Sequence, residues 1–440
     1  MSLISSFLNK ISFTDKTVIS FFERIDNPNL FFNHNLFVDY NNHFFFYDTK
    51  TNFSFFAVGK VESIQDHSLA ENNFTFISNA DESIQKSFPL FIGYKKFTDP
   101  QKENVWSDFQ NENWFIPKFI LINNGNESFA IHNFIGNNFD EAGFEKFLSY
   151  KNDRYEFIHD LIKVDFVNFS TTKEEWELIV SSAKESISKG EIEKVVLARK
   201  AEIKYQSDIN PFAILSNLFE KSNEIVLFSI KEKDSIFLGA TPEKLFSIKD
   251  NLIETEALAG TIARSKNESE TILLDKNFLN DKKEIEEQQK VLDYIISKLK
   301  LFSDEIYFDK IPSIKKLNLI QHLHTKIAAK VNPTTKIIDL LNELHPTPAV
   351  CGFPKENALQ IIDELENFDR GLYSGVFGWF NNYNAGEFYV GIRSALFQKN
   401  IAHIFAGCGI VNGSIPEKEF YETELKMKPI LDLFNYENKS

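Results

Sequence analysis

The punctuation of this chain constrains its fold more than any other feature. From Ser12 to about Lys163, short aromatic runs are cut by Asn, Asp and Gly, as in FFNHNLFVDYNNHFFFYD over Phe31–Asp48. Aromatic runs bounded by turn formers are strand signals, so this stretch is predicted to be short strands joined by turns. It contains no pattern that points to catalysis.

Beyond it the period changes. Trp176, Leu178, Ile179, Ala183 and Ile187 recur at helical spacing within Lys173–Lys189, and Gly190 supplies a stop. KVVLARKAEI then reads as a strand. Further helices are predicted over Pro211–Lys221, Asp281–Leu299, Thr335–Asn342, Lys355–Asn367 and Pro416–Phe434, with strand-like runs at Ile225–Ile230, Phe388–Ala395 and Ile401–Ala406. Helices mixed with paired strands point to antiparallel sheets rather than a doubly wound parallel one. No repeat, Gly/Ser linker or low-complexity tract interrupts the chain after Lys173, so residues 166–440 are expected to form one compact unit, following a strand-rich part over residues 1–165.

Composition excludes several function classes. Of 440 residues, 43% are hydrophobic and 25% charged, an ordinary globular balance. The 46 Phe residues accompany frequent Asn, Lys and Ile, a bias that AT-rich coding produces without a functional cause. A formal net charge of −15, with no run of Lys and Arg, argues against nucleic acid as a partner. Cys351 and Cys408 form neither a CxxC pair nor a zinc-type spacing with histidine. MSLISSFLNK lacks a basic start, and no apolar run approaches the roughly 18 residues that span a bilayer, so no membrane association and a cytoplasmic location are expected.

Several polar residues sit where chemistry is possible. Lys194 opens the apolar strand KVVLAR, where a desolvated amine can serve as a general base; a snorkelling strand-edge lysine is the plainer reading. Glu243, in GATPEKL, follows an apolar strand at a turn shaped by Gly239 and Pro242, aimed at a cleft or simply starting a helix. In EALAGTIAR, Gly260 and Thr261 offer N–H groups and a hydroxyl to an anion, or form a simple turn. Glu284 and Glu287 are three residues apart, as are Glu419 and Glu422, so each pair shares a helix face. Facing helices of this kind can hold a hard cation such as Mg²⁺, although solvated charged faces look the same. Lys426, one turn beyond Glu422, suits either an ion pair or a substrate carboxylate. Arg393 interrupts YVGIRSA, where a buried guanidinium needs an anionic partner. His322 in QHLHTKI and Tyr373 in RGLYSG are equally compatible with satisfied core positions.

The order of the segments is more specific than any one of them. KVVLAR, LGATPEKL, ALAGT, KKEIEEQQ, QHLHT, LHPTPAVCGFP, FDRGLYSGVFGWF, YVGIRSA, FAGCGIV and EFYETELK, running from Lys194 to Lys426, closely resemble the chorismate-utilising enzymes. That family includes isochorismate, salicylate, anthranilate and aminodeoxychorismate synthases. The resemblance implies an α+β fold of two large stacked antiparallel sheets with outer helices, to which residues 1–165 and 166–440 both contribute. By position, Lys194 resembles the base that activates water and Glu243 the acid that protonates the departing hydroxyl. Glu287 and Glu422 resemble direct Mg²⁺ ligands, and Glu284 and Glu419 ligands through water. Gly260, Thr261 and Lys426 match positions that hold the ring carboxylate of chorismate; Tyr373, Arg393 and the Gly407 backbone match those that hold the enolpyruvyl carboxylate. His322 corresponds to the family's pocket histidine.

Within the family, Ala259 stands where a nucleophilic lysine would sit, so a covalent aminodeoxychorismate route is closed. Lys194 replaces the glutamine usual in anthranilate synthases, and no tryptophan-feedback motif is found, so ammonia chemistry and a glutamine amidotransferase subunit are not expected. Ala349 replaces the threonine usual in salicylate synthases, which favours stopping at isochorismate. Gln288, where the family commonly has histidine, is a departure expected to bear on metal affinity. For Lys194 to act, burial or a nearby positive charge must favour its neutral form. Isochorismate feeds menaquinone or catechol siderophores, and a monomer is expected.

Overall fold

A computed structural model describes residues 3–26, 34–64, 74–99, 105–150, 162–206, 210–220, 224–264, 268–316 and 320–435. Residues 31–33 and Lys221, each part of a predicted element, lie outside these residues.

Two sheets share a long strand. The first runs, in order of pairing, through Thr75–Ser78, Thr17–Ile25, Ser128–Ile135, Glu112–Asn123, Phe53–Ile64, His43–Asp48, Val226–Glu232, Ser235–Thr241, Ser394–Gln398, Ile401–Ile410 and Lys194–Tyr205. The second leaves the opening half of Glu112–Asn123 and runs through Phe91–Lys95, Val376–Phe380, Gly386–Val390, Lys244–Lys249, Leu252–Ala263 and Ile320–Lys330. All these ladders are antiparallel except the first, between Thr17–Ile25 and Thr75–Ser78. Both sheets draw strands from before and after residue 165.

The sheets stack through aromatic side chains. Phe228 meets Phe377 at 4.2 Å between ring centroids, Phe46 meets Tyr389 at 5.4 Å and Phe53 meets Trp379 at 5.5 Å. Helices cover the outer faces. Trp176 and Val180 from Lys173–Ser188, Ile295 from Lys282–Leu299 and Leu340 from Ile337–Leu344 join Phe246, Ile253 and Phe388 of the second sheet in one core. Leu215 from Pro211–Glu220 and Met427 from Pro416–Leu431 join Phe45, Phe56 and Ile203 of the first sheet in another. This is the α+β architecture of two stacked antiparallel sheets that the resemblance implies.

Two of the outer helices start at side-chain caps. Thr172 and Glu175 form a capping box at the head of Lys173–Ser188, and the Asp281 carboxylate accepts from the Lys283 and Glu284 amides at the head of Lys282–Leu299. Three predictions need correction. Within the aromatic N-terminal run, His34–Asp39 and Glu141–Ser149 are helices. In the second of these, Phe144 and Phe147 share a buried face three residues apart behind an Asp140 cap. Glu268–Phe278 is a helix that the sequence reading did not propose. The predicted strand Phe388–Ala395 is broken: it ends at Val390 and resumes at Ser394, because Arg393 takes a left-handed φ of 52°.

Candidate active site

The strand break aims Arg393 into a cleft. Its walls include Glu243, Gly260, Glu287, His322, Ala349, Tyr373, Arg393, Gly407, Glu422 and Lys426, so segments distant in sequence converge there. Among the described residues the Arg393 guanidinium makes no ion pair. Burial pulls its pKa down to about 10, against the opposing pull of Glu422, Tyr373 and Glu243. A half-buried guanidinium with no ion pair among the described residues is a strong attractor for a carboxylate.

Lys194 is 1% exposed and lies against the cleft wall, its Nζ 2.8 Å from Glu287 Oε1. A Cβ at Gly409 would fall 2.5 Å from that carboxylate oxygen and 3.0 Å from Lys194 Cε, so a side chain there would have to push the pair aside. The Glu287 carboxyl is held below its ordinary range, burial opposing and Lys194 prevailing.

Glu243 follows Thr241 on a turn between Ser235–Thr241 and Lys244–Lys249, and no helix begins there. Its amide donates to Thr241 Oγ1 at 3.2 Å and its carbonyl accepts from Val390 at 3.0 Å, which fixes the turn. Burial and then the charge of Glu256 push its carboxyl up to about 7, with Lys315, Lys194 and Lys426 opposing. A carboxyl so placed keeps a proton to give near neutrality.

Gly260 forms a bulge between Leu252–Ala263 and Ile320–Lys330 at φ 73°. Its carbonyl lies 3.0 Å from His322 Nδ1, and burial, with Arg393 and Lys426 nearby, pulls that imidazole down to about 3. His322 is therefore neutral, with Nδ1 donating to Gly260. The Thr261 side chain lies outside the described residues. Tyr373 stacks on Phe405 at 5.2 Å, and burial pushes its phenol up to about 12, so it remains a donor. Ala349 lies on the loop after His345, its amide 3.3 Å from Thr347 Oγ1. Lys426 Nζ donates to the Gly407 carbonyl at 2.8 Å and pairs with Glu422 at 2.6 Å.

The four candidate metal ligands are gathered from two helices, but each has a lysine partner. Glu287 pairs with Lys194 and Glu422 with Lys426, while Lys283 reaches Glu284 at 3.4 Å and Glu419 at 3.2 Å. Among the described residues no three acidic, histidine or cysteine side chains close to metal-binding distances. Glu287, Glu419 and Glu422 nonetheless act on one point: with burial, all three push the Cys408 thiol well up. An all-oxygen set of this kind fits a hard cation, with the lysines as competitors for the same carboxylates. Gln288 turns away, its Nε2 donating to Thr325 Oγ1 at 2.7 Å.

The sequence reading missed a group beside Glu243. Lys315 Nζ lies 2.8 Å from Glu256 Oε1 and 2.9 Å from the Pro242 carbonyl, and His324 Nε2 lies 2.6 Å from Glu256 Oε2. Strand alternation held the signal: Glu256 and Leu258 are two apart, as are His322 and His324, so each pair shares a sheet face. Among the described residues no helix is long and apolar enough to cross a membrane.

Comparison with known proteins agrees with this geometry. The chain is 28% identical to isochorismate synthase MenF of Bacillus subtilis over 96% of its own length and 94% of that protein. It is 38% identical to the salicylate biosynthesis isochorismate synthase of Pseudomonas aeruginosa, over 58% of this chain and 53% of that protein. In structure it resembles the menaquinone-specific isochorismate synthase of Escherichia coli with a TM-score of 0.81 at 22% identity, covering 98% of this chain and 99% of the other. The family profile described as chorismate binding enzyme matches residues 6–435, and the chain belongs to that family.

Proposed function

We propose that this cleft interconverts chorismate and isochorismate, adding water at ring C2 and releasing the C4 hydroxyl. The observation that carries the reading is a cleft lined by Glu243, a buried carboxyl pushed up to about 7, and by Arg393, which makes no ion pair among the described residues, with the buried Lys194 behind the wall, close enough for its charge to act on Glu243. Relatives named isochorismate synthases, one aligned over nearly the whole chain, support it.

In this reading the enolpyruvyl carboxylate takes Arg393, the Tyr373 hydroxyl and the Gly407 backbone. The ring carboxylate lies toward Gly260, Thr261 and Lys426, and neutral His322 donates or accepts without adding charge. Lys194 takes a proton from the attacking water as the C2–O bond forms, and Glu243 gives its proton to the hydroxide leaving C4. The ring double bonds shift between the two carbons, so no oxidant or reductant is needed. Glu287 and Glu422 would hold Mg²⁺ directly, and Glu284 and Glu419 through water. Bound there, the cation would neutralise the ring carboxylate and draw electron density from the ring. Water is the nucleophile rather than ammonia, so no glutamine amidotransferase subunit is required. Ala349 lines the wall where a hydroxyl-bearing residue would favour going on to lose pyruvate.

Incubation with chorismate and Mg²⁺, with and without ammonium, followed by chromatography with mass detection, tests the proposal. Isochorismate without pyruvate, unaffected by ammonium, is the expected result. Salicylate with pyruvate, or an aminated ring, would overturn it.

A further inference from the structure

Behind the turn that carries Glu243 lies a charged group with no role in the scheme above. Leu252–Ala263 alternates: Ile253, Ala257 and Ala259 enter the helix-covered core, while Glu254, Glu256 and Leu258 face the other way. Leu258 lines the cleft, and Glu256 stands one step further along the same face. On the neighbouring strand His322 lines the cleft and His324 stands one step beyond it, its Nε2 2.6 Å from Glu256 Oε2. Lys315, on Ser313–Lys316 at the next position in the sheet, takes the other carboxylate oxygen at 2.8 Å. The same ammonium donates to the carbonyl of Pro242, the residue before Glu243, at 2.9 Å. Ser313 Oγ, 3.3 Å from His324 Nδ1, fixes the imidazole from behind.

We propose that Glu256, clamped between Lys315 and His324, is a positioning residue that keeps the proton on Glu243 by its charge. The inference rests on the reading of Glu243 as the acid. Each oxygen of Glu256 lies within 2.8 Å of a nitrogen, one of Lys315 Nζ and the other of His324 Nε2, so it acts on Glu243 as a fixed anion rather than as a partner sharing a proton. Its carboxyl is accordingly held down at about 2, His324 and Lys315 overcoming the effect of burial. The charged groups acting on Glu243 are Glu256, Lys315, Lys194, Lys426 and Arg393. Four of them are cationic, and Glu256 supplies the opposing charge. Lys315 plays two parts: it anchors the turn through Pro242, and its own charge works against the proton on Glu243.

Glu256 and Lys315 therefore have opposite electrostatic effects on Glu243, which separates this role from a structural one. The test is the pH dependence of chorismate consumption with Mg²⁺ across about pH 6–9 in wild type and variants. Turnover needs protonated Glu243, so activity falls as pH rises through that group's pKa. Glu256→Gln should move this alkaline limb to lower pH by roughly one unit, while Glu256→Asp leaves it in place. Lys315→Met should move it to higher pH, and if Glu256→Gln does not fold, the double variant Glu256→Gln/Lys315→Met takes its place, its limb expected below that of Lys315→Met. An unmoved limb, or shifts of both variants in one direction, would overturn the proposal. A product other than isochorismate would overturn the functional reading instead, since the limb is read from chorismate consumed.

Discussion

Lys194 and Glu243 are the single residues on which the two proposed proton transfers rest. Lys194→Ala removes the amine from the 2.8 Å pair with Glu287 and leaves the strand ladder intact. It should lower turnover by about 10²–10⁴-fold while chorismate still quenches intrinsic fluorescence on binding; near-normal turnover would exclude Lys194 as the base. Glu243 also carries a stability cost that can be measured. Its folded pKa of about 7 lies above the ordinary 4.5, so folding is favoured by its protonated form. The penalty is absent well below pH 4.5, grows between 4.5 and 7, and levels off above at on the order of 3 kcal/mol. Glu243→Gln should therefore be more stable than wild type at alkaline pH and nearly equal to it in acid, while losing turnover. Urea denaturation at the two extremes checks this, and equal stability at both would mean that Glu243 is ionised without penalty.

Elements bring these residues together, and the helix Pro416–Leu431 brings the most: Glu419, Glu422 and Lys426 lie along it. Arg199 pins it to the strand that carries Lys194. The guanidinium lies 3.9 Å from the Phe420 ring centroid, Nε donates to Thr423 Oγ1 at 2.6 Å, and Nη2 pairs with Glu424. Arg199→Met should cost roughly 2–3 kcal/mol of stability, less than a fully buried pair because Glu424 is partly exposed. Measured by urea denaturation, a loss below about 0.5 kcal/mol would mean that the helix is held by its apolar face alone. Glu287→Gln and Glu422→Gln should each raise the Mg²⁺ concentration needed for half-maximal turnover, and unchanged metal titrations in both would move the cation elsewhere. The helix positions themselves were legible: a spacing of three put each glutamate pair on one face before any fold was known. Of their lysine partners, only Lys426, one turn beyond Glu422, was. Lys283 is adjacent to Glu284 in sequence, yet Glu419, its other partner, comes from a helix far along the chain. Arg393 was legible as a break in alternation, but its left-handed backbone was not: its carbonyl accepts from the Ala240 amide at 3.1 Å, a partner about 150 residues away in sequence. Glu256 escaped notice because, although it opens EALAGTIAR, the partners that close on it, Lys315 and His324, come from strands about 60 residues further along the chain.

At the scale of the molecule, the aromatic N-terminal third and the catalytic remainder are one hydrogen-bonded object. His43–Asp48 pairs with Val226–Lys231, and Phe91–Lys95 pairs with Val376–Phe380, so cutting near residue 165 opens a long edge in each sheet. The same cut strips Phe44, Phe46 and Phe55 from the layer between the sheets, leaving Phe228, Phe237 and Phe377 facing water. Each such ring represents about 1.5–3 kcal/mol of burial, so three of them alone approach the whole net stability of a typical domain. Residues 166–440 expressed alone, although they contain every proposed catalytic and metal-binding residue, should therefore lack a cooperative thermal transition and aggregate through the exposed edges. Adding residues 1–165 as a separate chain during refolding should restore soluble protein and chorismate turnover, because the missing ladders are specified by alternation rather than by chain continuity. A cooperatively folding, active 166–440 fragment would show instead that the inter-sheet aromatic layer is dispensable and that the N-terminal strands serve something other than the site.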